Sequence, residues 1–167
     1  MIHPRIELIS TNLRRYTFEN KKIKQWTEDQ CTGITLNLFS GKTKLNLKEV
    51  RNDIDENANA KYHLDALDFI EFWKNKNPNK KFSSVILDPP YSVRKSIEMY
   101  NGKYSSRFKR IADNISDIIT DKAPVISFRY HSTFLGKKRG YELSKMCVFA
   151  HGGAQHCTIA IVETKSE

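Results

Sequence analysis

One apolar run that ends abruptly in an acid and two prolines restricts the fold of this chain more than any other feature. In "FSSVILDPPY", residues 82–91, a β-rich stretch is followed at once by Asp88, Pro89 and Pro90. A short, largely apolar run that contains β-branched residues is typical of a strand that is buried on both faces of a sheet. Proline cannot extend a strand because it lacks the N–H donor, and a carboxylate is costly to bury without partners. We therefore predict a central strand over residues 82–88 that ends at a functional site.

Segments with helical and strand-like patterns alternate along the rest of the chain. Apolar residues at helical spacing predict helices over residues 11–30, 67–77 and 104–122. Apolar β-rich runs predict strands over 33–39, 48–55 and 123–130, a short strand at "HLDAL" and a hairpin around Gly152-Gly153. This order predicts a single α/β domain with a mostly parallel sheet and a C-terminal antiparallel hairpin. Ligands of such sheets bind beyond the carboxyl ends of the strands, which is where residues 88–91 lie.

The charge balance points toward a polyanionic partner. Lysine and arginine number 28 against 19 acids, for a net charge of +9, which favours nucleic acid and is also compatible with a merely soluble, lysine-rich surface. No stretch approaches the roughly 20 apolar residues of a membrane span, so we expect no membrane partner. Three cysteines without a CxxC pair, and an N-terminus without the apolar region of a secretion signal, predict a reducing, cytoplasmic location.

The residues after the central strand suit the activation of an amine on a nucleobase. The Asp88 carboxylate and the Pro89 carbonyl can each accept a hydrogen bond from an exocyclic amino group, which draws the nitrogen toward a more reactive tetrahedral form. Pro89 and Pro90 would hold that carbonyl in a fixed turn, and Tyr91 offers a flat face for a flipped-out base. The alternative is a simple strand-ending turn, since Asp-Pro-Pro is common in turns.

The DPPY tetrapeptide after an apolar strand resembles the class I S-adenosylmethionine-dependent amino-methyltransferases of the N6-adenine and N4-cytosine group. The resemblance covers residues 33–165, although DPPY is its one specific motif. It implies a Rossmann-like methyltransferase domain over 33–167 after an N-terminal helical extension, 1–32. It also implies S-adenosylmethionine (SAM) as the cofactor, and methyl transfer to adenine N6 in nucleic acid, with DNA favoured over RNA. The catalytic residues would be Asp88, Pro89, Pro90 and Tyr91.

The same resemblance assigns the cofactor contacts. "NLFSGKT" stands where the family has a glycine-containing turn, "VRNDID" supplies an acid for the ribose hydroxyls, and "HLDAL" supplies an acid near the adenine amino group. Only "SGKTKLNLKEV" separates the first two predicted strands, so we expect the helix that the family has there to be lost. A non-catalytic relative that binds nucleic acid or regulates a partner therefore remains an alternative. The predicted cofactor residues are Asn37, Phe39, Gly41, Asp53, Ile54, Asp65 and Ala66.

Basic residues after two of the strands are candidates for contacts with nucleic acid. We expect them to border the DPPY pocket and to bind phosphates. No long insertion follows DPPY, so we expect recognition of a target to come from short loops, from the second subunit of a homodimer or from a partner subunit. The predicted nucleic-acid-binding residues are Arg94, Lys95, Lys137, Lys138 and Arg139.

Other motifs carry less information. "SGKT" is not a phosphate-binding loop of the Walker type, because Leu36 stands where that pattern needs glycine. The set Cys147, His151, His156 and Cys157 has no familiar zinc spacing, so we predict no metal.

Methylation of another exocyclic amine, cytosine N4 or guanine N2, stays open as an alternative to methylation of adenine N6.

Overall fold

The computed structural model describes residues 3–90, 108–129 and 134–166. Within these ranges the chain forms one seven-stranded sheet, with helices packed on it. The α-helices are α1 (Lys21–Gln30), α2 (Ala66–Lys76) and α3 (Phe108–Asn114), and short 3-10 helices span Thr17–Glu19, Ile115–Ile118 and Lys137–Arg139. The strands are β1 (Arg5–Ser10), β2 (Thr35–Asn37), β3 (Glu49–Arg51), β4 (Ser84–Leu87), β5 (Val125–Arg129), β6 (Tyr141–Ala150) and β7 (Thr158–Lys165).

The strand order is β1-β6-β7-β5-β4-β2-β3. Strands β3, β2, β4 and β5 pair in parallel, β7 runs antiparallel to both β5 and β6, and β1 is parallel to β6. The carboxyl ends of β1 to β6 therefore meet at one side of the sheet, which we call the carboxyl edge, and their amino ends meet at the amino edge. The predicted α/β fold, with a mostly parallel sheet and a terminal antiparallel pair, is confirmed.

Both faces of the central strand β4 are covered, as its apolar sequence predicts. Every residue of β4 is buried, with Val85 and Leu87 in the core formed with α2 and α3 and Ile86 in the core formed with α1. Each of the two longer helices begins at a side-chain cap, because Asn20 accepts hydrogen bonds from the first turn of α1 and Asp65 does so for α2. Among the described residues, no helix has both the length and the apolarity that a membrane crossing requires.

Three local predictions were wrong. Strand β1 was not predicted from the sequence, yet it lies inside the segment assigned to a helical extension. The helix predicted over residues 11–30 begins only at Lys21, since the Asn20 cap defines its first turn. No strand forms at "HLDAL": the isolated bridge nearby joins Asn52 to Tyr62, the residue before this segment, and Asp65 is the cap of α2. The domain boundary at residues 32 and 33 stays a prediction.

The connection between β2 and β3 contains no helix. Residues 38–48, all of which the structure describes, join the two strands through turns. The predicted loss of the helix between the first two strands of the domain is thus confirmed, and this connection must be ordered by other contacts.

Candidate functional site

The DPP segment lies at the carboxyl edge, between two adjoining pockets. Asp88 follows β4 directly and is half-buried, while Pro89 is buried. Phe39, Asp88 and Pro90 line both pockets. Tyr91, the predicted base-stacking residue, lies outside the described residues.

The first pocket brings together most of the predicted cofactor residues. Phe39 follows β2, Asp53 and Ile54 follow β3, and Asp65 and Ala66 begin α2. We call this space the acid-lined pocket because Asp53 and Asp65 stand on its wall. Its lining residues are Leu38, Phe39, Asn52, Asp53, Ile54, Leu64, Asp65, Ala66, Asp88 and Pro90.

Asp53 is held firmly at the wall of this pocket. Its Oδ2 accepts a hydrogen bond from the Gly41 backbone N–H at 2.7 Å, and its Oδ1 accepts one from the Asp55 N–H at 2.9 Å. Burial raises the pKa of the Asp53 carboxyl above its ordinary value, and the two backbone hydrogen bonds partly oppose that rise. A carboxylate has about four acceptor positions, so Asp53 retains capacity to accept hydrogen bonds from a ligand.

Asp65 caps α2 with one carboxylate oxygen and leaves the other at the pocket. Its Oδ1 accepts a hydrogen bond from the Leu67 N–H at 3.0 Å and so caps α2. No described residue donates a hydrogen bond to its Oδ2, which leaves that oxygen available at the pocket.

Asn52, which the sequence analysis did not single out, links the segment before Asp65 to the end of β2. The Asn52 amide donates to the carbonyls of Leu38 at 3.2 Å and Leu64 at 3.0 Å.

The loop after β2 turns at Gly41, where φ is +56°. Residues with a side chain rarely adopt this conformation, and a Cβ placed here would meet nothing within 4 Å. Gly41 is therefore required by the backbone conformation, and the space above it is open. It lines the second pocket rather than the acid-lined one.

The buried guanidinium of Arg51 orders the loop that has no helix. Its Nη2 donates to the carbonyls of Ser40 at 3.2 Å and Gly41 at 2.9 Å, and its Nη1 donates to the carbonyl of Thr43 at 2.9 Å. The same Nη1 lies 2.9 Å from Glu49 Oε1, in an ion pair whose two side chains are only 7% and 1% exposed. One cation thus replaces, as an ordering element, the helix that this connection lacks.

Asn37 does not reach either pocket. It lies fully buried in β2, and its amide donates to Glu49 Oε2 at 3.1 Å. The Asn37 side chain therefore belongs to the network of Glu49 and Arg51 beneath the loop. Of the predicted cofactor residues, it is the one that the structure keeps apart from the pockets.

The sequence analysis did not predict the second pocket. It is walled by the loop between β1 and α1, by the loop after β2 and by the ends of the β6–β7 hairpin. We call it the cationic pocket because it contains three basic side chains and a single acid. Its lining residues are Leu13, Arg14, Arg15, Tyr16, Thr17, Phe18, Asn20, Ile23, Phe39, Ser40, Gly41, Lys42, Thr43, Asp88, Pro89, Pro90, His151 and Thr158.

His151 contributes a polar atom to this wall. Its Nε2 lies 2.8 Å from the Thr158 hydroxyl, and its Nδ1 is buried without a hydrogen-bond partner among the described residues. The same hairpin carries the candidate zinc ligands of the sequence. Within residues 3–90, 108–129 and 134–166, no three His, Cys, Asp or Glu side chains are grouped so as to hold a metal ion.

The basic segment Lys137–Arg139 does not border the site, and the prediction that it does was wrong. Because β6 runs parallel to β5, the chain must return to the amino edge before β6 begins at Tyr141. Residues 137–139 therefore lie at the amino edge, away from Asp88. There Arg139 forms an ion pair with Asp113 at 2.7 Å, while Lys137 and Lys138 are exposed. Arg94 and Lys95 lie outside the described residues.

Solved structures of methyltransferases share this fold. TrmN from Thermus thermophilus superimposes with a TM-score of 0.56 at 13% identity, over 90% of this chain and 50% of that chain. A proposed SAM-dependent methyltransferase from Streptococcus mutans gives 0.58 at 9% identity, over 86% and 48%. A proposed methyltransferase solved as a complex with SAH gives 0.54 at 9% identity, over 81% and 46%. The chain thus spans about half the length of each of these three proteins.

These likenesses establish the methyltransferase fold. No protein-family model matches the sequence, and no curated protein matches it either.

Proposed function

We propose that this chain is a SAM-dependent methyltransferase that acts on an exocyclic amine of a nucleobase, with adenine N6 in DNA as the favoured target. One observation carries the proposal: Asp88 and Pro90 stand on the shared wall of an acid-lined pocket and a cationic pocket. Transfer of a group requires that a donor site and an acceptor site open onto the same catalytic residues. The fold shared with TrmN and with a protein crystallised with SAH, the demethylated product of SAM, supports the same reaction class.

The acid-lined pocket suits the adenosine part of SAM. Ribose hydroxyls and an adenine amino group are hydrogen-bond donors, and the pocket offers acceptors for them on Asp53 and Asp65. Ile54, Phe39 and Ala66 supply apolar surface for the purine ring. The open space over Gly41 leaves room for a ligand to approach the loop backbone. When bound, SAM supplies a methyl group that its sulfonium centre has already activated.

In this proposal the residues of the DPP segment act on the amine rather than on the cofactor. The Asp88 carboxylate accepts one N–H of the target amine, and the Pro89 carbonyl accepts the other. Both acceptors polarise the nitrogen toward a tetrahedral geometry and orient its lone pair for in-line attack. Tyr91 is proposed to stack on the base, as the resemblance to the DPPY family implies.

Replacement of Asp88 tests the role of the carboxylate. We expect Asp88→Ala to lower methyl transfer about 100-fold or more, because one preorganised electrostatic contact to the reacting group is lost. The assay is mass spectrometry of nucleosides from DNA and RNA incubated with the enzyme and SAM. Asp121→Ala, which removes an exposed carboxylate that pairs with Lys165, is the matched control.

Calorimetry with SAM and SAH completes this test, because Asp88→Ala should still bind both. A variant with near-normal transfer would remove Asp88 from the mechanism. The nucleoside analysis also separates N6-methyladenine from N4-methylcytosine and N2-methylguanine.

A non-catalytic relative is the second candidate, and the connection between β2 and β3 favours it. This connection carries no helix across residues 38–48. Absence of SAM binding at millimolar concentration, in the presence of DNA and RNA, would support a nucleic-acid-binding or regulatory module in place of an enzyme.

A further inference from the structure

We propose that the loop of residues 11–20 is the wall that binds the substrate strand, with Arg14 and Arg15, together with Lys42, holding phosphodiester groups of a nucleic acid. The inference rests on the proposed function, because it places the polyanion beside the DPP segment. It moves the phosphate contacts from the segment at the amino edge to a loop that the sequence did not single out.

Charge is the first support for this assignment. Arg14, Arg15 and Lys42 are exposed side chains on the wall of the cationic pocket. Among the described residues, none of the three forms an ion pair. The described lining contains one acid, Asp88, so the wall has a clear excess of positive charge. Exposed, unpaired cations that line a concave surface favour an anionic ligand.

The loop is also held in place before any ligand binds. Asn20 donates to the Thr11 hydroxyl at 2.9 Å and to the Asn12 carbonyl at 2.6 Å, while its Oδ1 caps α1. The Thr11 N–H donates to the Ala150 carbonyl at 2.9 Å, at the end of β6. A loop fixed at both ends loses little conformational entropy when it binds.

The far half of the loop is anchored in the core. The Phe18 ring is 5% exposed and packs edge-on against Phe128, with ring centroids 5.5 Å apart. Arg15 lies over the Tyr16 ring at 5.5 Å, so its guanidinium is partly oriented already. Arginine binds phosphate oxygens through a planar pair of donors, which gives such a residue geometric selectivity for phosphodiesters.

The dependence of binding on salt gives a direct test. We compare R14Q/R15Q with K137Q/K138Q, which removes the same two charges at the amino edge and is the matched control. The probes are fluorescent single-stranded DNA and RNA oligonucleotides, titrated at several salt concentrations. For a single strand each phosphate contact adds about 0.7 to the slope of log affinity against log salt. R14Q/R15Q should therefore reduce the slope by about 1.4, and K137Q/K138Q should leave it unchanged.

The outcomes separate the inference from the proposed function. Equal slopes for R14Q/R15Q and the wild type, or an equal loss in both double variants, would overturn the inference, even if the wild type methylates nucleic acid. A selective loss in R14Q/R15Q supports it, even if the wild type fails to bind SAM. Circular dichroism and thermal unfolding of each variant establish that both remain folded. The DNA and RNA arms show which nucleic acid the wall prefers.

Discussion

Replacement of Arg51 tests whether a single guanidinium orders the connection between β2 and β3. The side chain is buried and donates to three loop carbonyls, those of Ser40, Gly41 and Thr43. It also neutralises Glu49, whose side chain is 1% exposed. Arg51→Ala would leave these acceptors without their donor and a buried carboxylate without its cation.

The expected loss of stability follows from those contacts. Removal of one partner of a buried ion pair costs about 3–5 kcal/mol. Glu49 would retain hydrogen bonds from the Asn37 amide and the Leu45 N–H, which places the loss near the lower end, at about 3 kcal/mol. Arg51→Lys keeps the charge but cannot reach all three carbonyls, so we expect a loss of about 1.5–3 kcal/mol, the contribution of one hydrogen bond from a charged donor.

Urea unfolding followed by fluorescence measures these changes. Lys74→Ala is the control, because its ion pair with Asp117 is solvent-exposed and should contribute less than about 1 kcal/mol. A loss below about 1 kcal/mol for Arg51→Ala would refute the view that this residue organises the loop. If Arg51→Ala does not fold, Arg51→Lys still tests the reasoning, because it should fold and be less stable than the wild type. An Arg51→Lys variant as stable as the wild type would contradict it. Under the proposed function, calorimetry should also show weaker SAM binding for Arg51→Lys, because the loop that contains Gly41 is held by fewer hydrogen bonds.

Two further predictions concern titratable groups. Burial raises the pKa of Cys31 to about 11 and that of Cys147 to about 12, whereas Cys157 is exposed. We therefore expect a thiol reagent at neutral pH to modify Cys157 quickly and the other two cysteines only after unfolding. Fast modification of a native Cys157→Ser variant would contradict this. Burial also raises the pKa of Asp53 above 3.8 in the folded state, so its contribution to stability is complete below 3.8 and is lost as pH rises through the folded-state value. The unfolding free energy of the wild type should therefore fall relative to that of Asp53→Asn as the pH rises above 3.8 in urea titrations, and parallel curves for the two proteins would contradict the raised pKa.

The sequence predicted those residues of the candidate site that lie close to the end of a strand. The apolar run of β4 indicated a strand buried on both faces, and the prolines after Leu87 indicated where it stops. Asp53, Ile54 and Asp65 were correctly brought near Asp88, because the carboxyl ends of parallel strands share one edge of the sheet. Asp65 lies near Asp88 because it caps α2, and not because it ends a strand. Its position was therefore predicted correctly, but its local structure was not.

Strand β1 shows what a local pattern cannot reveal. Ile6 and Leu8 are 63% and 75% exposed, so the burial of these two side chains does not account for the strand. It exists because its backbone pairs with β6, whose residues come more than a hundred positions later. That pairing carries the loop of residues 11–20 to the carboxyl edge, and with it Arg14 and Arg15.

The amino-acid sequence by itself determined that the segment of β4 is buried, where this central strand must end, and that Asp53 and Asp88 follow strands. Each of these depends on side-chain chemistry within a few neighbouring residues. The tertiary structure alone decided that Lys137 and Lys138 lie at the amino edge, that the N-terminal loop walls the second pocket, and that Arg51 replaces a helix. Strand order and direction arise from backbone hydrogen bonds, and these groups are the same in nearly every residue. No local pattern can therefore specify which distant strand will be the partner.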